Sequence, residues 1–310
     1  MLAASLVAFI LVSLSPIDPV QQYVLGAGNV SAQQRAAIAE YWGLNKPPVQ
    51  RYWLWLTSLL RGDMGTSLLY RQPVAAIIAG RFGNTLALMA AAWVLSGLLG
   101  FSAGCLMGML DKRFAGRALK KVCLVVSSLP TFWLGLVLLL VFSVLLGWFP
   151  IGFSSPIGLE NASVTLWQRL HHLALPALTL SLVSFAGIAL HTRQKLVEVL
   201  ESDYVAFALA RGDTPFKILR LHGLRNILLP ALTLQFTSFA ELFGGSILAE
   251  TVFSYPGLGS AVAAAGLNSD VPLLLGITLF STLFVFTGNL IANTLYGIIN
   301  PQLKEEAAHG

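Results

Sequence analysis

The sequence is poor in charge. Of its 310 residues only 11% are Asp, Glu, Lys or Arg, against 56% hydrophobic, and the mean hydropathy is +0.75. Soluble domains carry about 25% charged residues, so a water-soluble enzyme or carrier is excluded and a polytopic membrane protein is implied. Cysteine is equally scarce. Cys105 and Cys123 are the only two, and they read as inert thiols in or beside apolar segments, since no spacing suits zinc or a disulfide framework. Catalytic signatures are missing as well: there is no Gly-x-x-x-x-Gly-Lys-Ser/Thr loop, no His-Glu-x-x-His and no Gly-x-Ser-x-Gly elbow. The chain therefore reads as a non-enzyme that cannot hydrolyse ATP by the usual route, with no metal site of its own. No internal repeat and no low-complexity tail stand out.

The net charge is +5 and the pI about 9.4. Basic character of this kind can signal nucleic acid, yet the lysines and arginines sit in short loops between apolar runs, as the positive-inside rule requires. Nucleic acid is not the expected partner; lipid is. Six apolar runs are predicted to span: Met1 to Ile17, then about 84–110, 122–148, 173–190, 230–250 and 271–295. An all-α fold of about six transmembrane helices follows, with both ends on the cytoplasmic side.

The first run reaches Asp18 without a charge and gives about 25 Å of helix, slightly short of the hydrocarbon core. Either the recorded start falls inside this span or the helix is short and tilted. From Ser15 to about Arg81, five prolines exclude a continuous span, and an external loop region is predicted over 18–83. In the second run Gly97, Gly100, Gly104 and Gly108 lay a smooth stripe on one helix face, where another helix can pack closely. Asp111 is followed by five cations, Lys112, Arg113, Arg117, Lys120 and Lys121, which mark a cytoplasmic loop. Pro130 is expected to bend the third span, Trp148 and Phe149 to anchor its outer end, and a lateral helix to occur near Leu166 to Leu170.

The most charged long segment runs from Asp203 to Pro230. It starts as a helix with Val205, Ala208 and Leu209 on one face and is broken at Gly212. Asp213 or Thr214 can cap a second helix, with Pro215 in its first turn. Phe216, Leu219 and Leu221 are predicted to form its apolar side, while Lys217, Arg220 and Arg225 stay wet. Two short helices about a bend make a surface knob, not a span.

Asp203-Tyr204-Val205, Ala208, Ala210-Arg211-Gly212, His222, Arg225-Asn226 and Leu229-Pro230 resemble the EAA-type loop of ABC importer permeases, in the spacing of the dipeptide/oligopeptide/nickel branch. Ala206 stands where the motif has its glutamate. Further stretches are similar to the same branch: Gly43-Leu44, Pro47, Gln50-Arg51-Tyr52, Gly62-Asp63-Met64-Gly65-Thr66-Ser67 and Pro73-Val74 in the first external loop, Ser128-Leu129-Pro130-Thr131-Phe132-Trp133 and Gly147-Trp148-Phe149-Pro150 in the third span. Glu250-Thr251-Val252-Phe253-Ser254-Tyr255-Pro256-Gly257-Leu258-Gly259 and Asn300-Pro301-Gln302-Leu303 complete the set.

The resemblance covers the chain from about Asp18 to Leu303. It implies a type I ABC importer permease of the bacterial inner membrane, with a first helix over 1–17, a five-helix core over 84–300, a coupling loop over 194–230 and a cytoplasmic tail over 301–310. It also implies the partners: a homologous second permease, two ABC ATPase subunits and an extracytoplasmic substrate-binding protein. ATP and magnesium belong on the ATPases, and this chain binds no cofactor. Asp203, Tyr204, Ala208, Arg211, Gly212, Leu219, His222 and Arg225 are the residues expected to couple to the ATPase.

Glu241 is the most costly residue for a membrane to hold, placed in mid-span among Phe236, Phe239, Leu242 and Phe243. Three readings stand: a pathway residue attracting a cation or a peptide amino group, a protonated neutral acid, or a structural hydrogen-bonder. Glu241-Leu242-Phe243-Gly244-Gly245 is similar to nickel-permease members, so the expected cargo is nickel, as ion or chelate, or short peptides, leaning to nickel. The alternative is a dipeptide or oligopeptide permease with no metal role. Glu250 reads as structural near the Pro-Gly turn. His171 and His172 are adjacent and so point about 100° apart on a helix; like His191 and His222, they are not read as a metal site.

Overall fold

The computed structural model describes residues 2–14, 20–21, 31–41, 45–158 and 163–299. Among them the regular structure is helical, with one isolated β-bridge between Thr66 and Pro73. The chain divides into two compact units. One comprises Met1–Thr85 with Pro256–Phe284, the other Leu86–Tyr255 with Val285–Gly310.

In the first unit, α1 (Leu2–Ser13) is 12 residues long, about 18 Å of helix, and so covers only part of the first expected span. Ser5 of α1 pairs its hydroxyl with Tyr52 at 2.9 Å. That tyrosine lies on α3 (Pro48–Leu60), which follows α2 (Ala32–Tyr41). The prolines thus leave room for two short helices where only loop was predicted. Gly43 and Leu44 of the predicted loop lie outside the described residues.

The helix α4 runs from Val74 to Met109, ten residues before the predicted start. Arg81 and Asn84 do not end it because both find partners: the Arg81 guanidinium lies 4.8 Å over the Tyr70 ring, and Asn84 Nδ2 donates to the Pro256 carbonyl at 2.9 Å. Val74, Ile77 and Ile78 pack on Leu258, Ala261 and Ala265 of α12 (Leu258–Leu267) and on Leu273 and Ile277 of α13 (Val271–Ile299).

The Gly62-Asp63-Met64-Gly65-Thr66-Ser67 run is a turn that docks on the start of α13. Asp63 Oδ1 accepts from the Gly65 amide at 2.8 Å. Asp270, fully buried, accepts from the Ser67 hydroxyl at 2.5 Å and the Leu69 amide at 3.0 Å through Oδ2, and caps α13 by accepting from the Leu273 amide through Oδ1 at 3.2 Å.

In the second unit, the predicted glycine stripe finds its partner in α7 (Leu166–Leu200). A Cβ on Gly100 would lie 2.9 Å from Ile188, one on Gly104 2.5 Å from Thr192, and one on Gly108 2.7 Å from Leu196. Lipid tails are as apolar as the side chains they cover, so close backbone approach of this kind supplies the packing that associates helices in a membrane. Gly97 meets Gln235 instead, at 3.1 Å. The predicted lateral helix near Leu166 is the first turn of α7, which the Thr165 capping box starts.

The basic segment after Asp111 is not a loop. It folds into α5 (Phe114–Ser128), seated on α7 where Cys123 and Met107 meet Ala186 and Ala189. At Leu129-Pro130 the chain turns by 110° into α6 (Thr131–Leu138), which continues as a π-helical turn over Leu139–Leu145. Pro130 therefore breaks the third span where a bend was expected, because the residue before proline is held extended: Leu129 has ψ 136°. Beyond it, His171 Nε2 and His172 Nδ1 donate to the Trp148 and Gly152 carbonyls, each at 2.8 Å.

The fifth span is likewise broken. Between α10 (Leu224–Thr237) and α11 (Phe239–Val252) the chain bends by 52° at Ser238. The Gln235 carbonyl there accepts from the Trp93 indole and the Ser238 hydroxyl, each at 2.9 Å. By length and composition α4, α7 and α13 can each cross a membrane, and each bent pair can form a further span.

Candidate functional site: the bent knob

Between the long α7 and the broken α10–α11 span the chain forms the predicted knob. α8 (Asp203–Ala210) ends at Gly212, whose φ is +87°. The Gly212 amide donates to the Leu209 carbonyl at 2.9 Å and the Asp213 amide to the Ala208 carbonyl at 3.1 Å. This pair of bonds is a Schellman cap, which needs a left-handed residue at its turn. Thr214, not Asp213, caps the next helix: its hydroxyl accepts from the Lys217 amide at 3.4 Å, at the head of α9 (Pro215–Ile218). A π-helical turn over Leu219–Gly223 leads into α10.

Asp213 has another use. Its Oδ1 lies 2.6 Å from Lys217 Nζ and its Oδ2 3.2 Å from Arg211 Nη2, so one carboxylate ties both arms of the bend. The hydrogen bond from Lys217, then that from Arg211, holds the Asp213 carboxyl below the usual carboxylate range.

The faces of the knob differ in part from the expected ones. Val205 and Ala208 are buried, joined by Ile218 and packed beside Val199 and Leu200. Leu209, Phe216 and Leu221 are exposed, and so is Phe207, with Arg211 stacked 5.7 Å over its ring. The buried anchor of the second arm is Ile218, not the predicted Phe216, Leu219 and Leu221, because the Gly212 bend folds this arm so that Ile218 meets Val205 and Ala208.

Of the eight residues singled out for coupling, Asp203, Tyr204, Arg211 and Gly212 lie on the outer face, as do Ala206, in the place of the motif's glutamate, and Arg220. Ala208 is 2% exposed and holds the knob together from within. Leu219 is half-buried. The side chains of His222 and Arg225 lie outside the described residues.

Sequence reading passed over Phe207 and set Phe216 on the apolar side; the two are 67% and 72% exposed. The signal was present in Phe207, which falls two residues from Val205 and therefore off its face. A cavity of about 290 Å³ lies between the knob and the ends of the spans, lined by Gly108, Lys112, Arg113, Leu200, Val205 and Ile218 among others.

Glu241 is not in the middle of an unbroken span. It sits in the first turn of α11, just past the bend, where the helix N-terminus favours a carboxylate. Its side chain is exposed, on a face shared with Thr237, Ala240, Gly244 and Leu248. Glu250 is fully buried at the other end of α11. Burial first, and the Glu250 charge second, push the Tyr255 hydroxyl up to about 12.

Three long apolar helices and two bent pairs, with a bent two-helix knob between them, make the described residues those of a helical membrane protein. The chain belongs to the family of binding-protein-dependent transport system inner membrane components, whose model matches residues 100–305. It is 33% identical over 307 residues to the oligopeptide transport system permease protein AppB of Bacillus subtilis, covering 98% of this chain and 95% of that one. It is 33% identical to the di/tripeptide permease DppB of Pseudomonas aeruginosa (97% and 94% covered) and 34% identical to the glutathione permease GsiC of Escherichia coli (97% and 93%). The fold is similar to a chain of the MetNI methionine ABC transporter, at a TM-score of 0.58 and 14% identity, over 73% of this chain and 97% of that one. As a permease subunit of an inner-membrane importer, it works with an ATPase and a substrate-binding component.

Proposed function

We propose that this chain forms half of the path by which short peptides enter the cell, and that ATP binding is transmitted to it through the knob at Gly212. The observation that carries this reading is the knob itself, a capped bend with Tyr204, Phe207 and Phe216 exposed on its surface. Exposed aromatic side chains around a fixed turn suit a groove on a partner protein. A homologous second permease, two ATPases carrying ATP and magnesium, and one binding protein complete the proposed assembly. The chain binds no cofactor in this scheme. Its core over 84–300 alternates between inward- and outward-open states, with 194–230 as the coupling segment.

The relatives named for oligopeptides, di/tripeptides and glutathione favour peptide cargo. The nickel reading has only the short Glu241 to Gly245 similarity behind it, and we place it second. Glu241, exposed at the bend, suits the ammonium group of a peptide. Cells carrying the whole transport operon should accumulate a radiolabelled dipeptide and not radiolabelled nickel, and Glu241→Gln should lower peptide uptake several-fold. Accumulation of nickel alone would return the metal reading to first place.

A further inference from the structure

The helix α5 divides along its length. Lys112 and Arg113 before it, then Arg117 and Lys121 on its first half, are exposed cations. Over 122–125 the exposed side chains are apolar: Val122, Leu124 and Val125 are 55%, 45% and 59% exposed, with the exposed Ser127 and Ser128 closing the helix. Such a change within one helix marks the level where headgroups give way to hydrocarbon, and Phe114, 80% exposed, adds an apolar foot at the first turn. At Pro130 the chain turns by 110° into α6, so the change from charged to apolar belongs to α5 alone. Gly116 and Cys123 are buried, so the opposite face is already used in seating the helix.

The charge on this helix is uncompensated. Asp111 is the sole acid between 110 and 128, and its carboxylate is taken by Arg193. Among the described residues none of Lys112, Arg113, Arg117 and Lys121 has an ion-pair partner. Arg193 and Lys195 of α7 and Arg211 and Lys217 of the knob differ in this respect, each being paired with a carboxylate. Four open cations on one short stretch suit a cytoplasmic leaflet, whose lipids carry negative charge.

We propose that Lys112, Arg113, Arg117 and Lys121 form a binding site for anionic phospholipid headgroups of the cytoplasmic leaflet. Arg117 and Lys121, one helical turn apart, clasp a phosphate while Val122 and Val125 lie along its acyl chains. Lys112 and Arg113 line the cavity behind Val205 and Ile218, so the bound lipid borders the coupling knob. This role is separate from cargo and from ATPase docking.

The test uses the complete transporter in nanodiscs of phosphatidylcholine with graded phosphatidylglycerol, bound lipid being counted by native mass spectrometry. The native complex should retain phosphatidylglycerol in preference to phosphatidylcholine. Each surface cation contributes about fivefold to such a preference, so R117Q/K121Q should lower it about 25-fold, while the charge-preserving R117K/K121R should keep it. Retention of the preference by R117Q/K121Q would overturn the proposal. Loss of the ATPase from that variant in phosphatidylcholine alone would overturn it too, by showing the cations to be a protein interface.

Discussion

Lys217 reaches back across the bend of the knob to lie 2.6 Å from Asp213, which is held from the other side by Arg211 at 3.2 Å. The folded carboxyl thus ionises below the ordinary aspartate range. Its contribution to the knob is therefore fully present above the unfolded value and is lost only as pH falls through the lower folded value. Asp213→Asn should reduce peptide transported per ATP hydrolysed two- to five-fold with the membrane core intact. In the native protein this ratio should not change at Asp213 between pH 7 and pH 5. Transport assays in proteoliposomes with paired phosphate release measure both.

The contact of α4 with α7 tolerates no added volume. Gly104→Val would force a side chain against Thr192 and the Ala189 carbonyl, the latter 2.7 Å from the ideal Cβ position, and should destabilise by about 1–3 kcal/mol. Gly244→Ala, at a position with nothing within 4 Å, should leave the isolated subunit unchanged. Thermal unfolding in detergent separates the two. Equal losses at both positions would show that the stripe is not the helix contact.

Asp270 ties the turn over 62–67 to the start of α13. Asp270→Ala leaves the Ser67 hydroxyl and the Leu69 and Leu273 amides without their acceptor and should cost about 3 kcal/mol. Protease cleavage within 62–73 should become faster in the variant at a temperature where the native chain resists it.

Much of this was legible in the sequence, for reasons that differ from element to element. The glycine spacing from Gly97 to Gly108 announced a close helix contact because small residues at that period have few other uses in a membrane. The bend at Gly212 followed from one glycine between two apolar-periodic stretches. The helix of α5 was hidden because its cations matched the positive-inside pattern, which speaks to sidedness and says nothing of backbone conformation. The break beside Glu241 was hidden because it depends on Trp93, which lies 142 residues from Gln235. No local window contains that contact. The burial of Ala208 and Ile218 and the exposure of Phe207 and Phe216 depend likewise on how the two arms fold on Val199 and Leu200. The ion pair of Asp213 with Lys217 could have been read from its i, i+4 spacing.

The knob as the coupling element is the central claim, and Phe207 and Phe216 test it most directly because neither supports the fold. ATP-driven uptake of a labelled dipeptide should be measured in proteoliposomes containing the complete transporter with Phe207→Ala/Phe216→Ala. Losing two exposed aromatic anchors at a docking surface costs about 2 kcal/mol or more. Uptake should therefore fall at least tenfold while the thermal stability of the membrane subunit stays at the native value. Native rates of uptake in the double variant would contradict the account and move the site of coupling elsewhere on the chain.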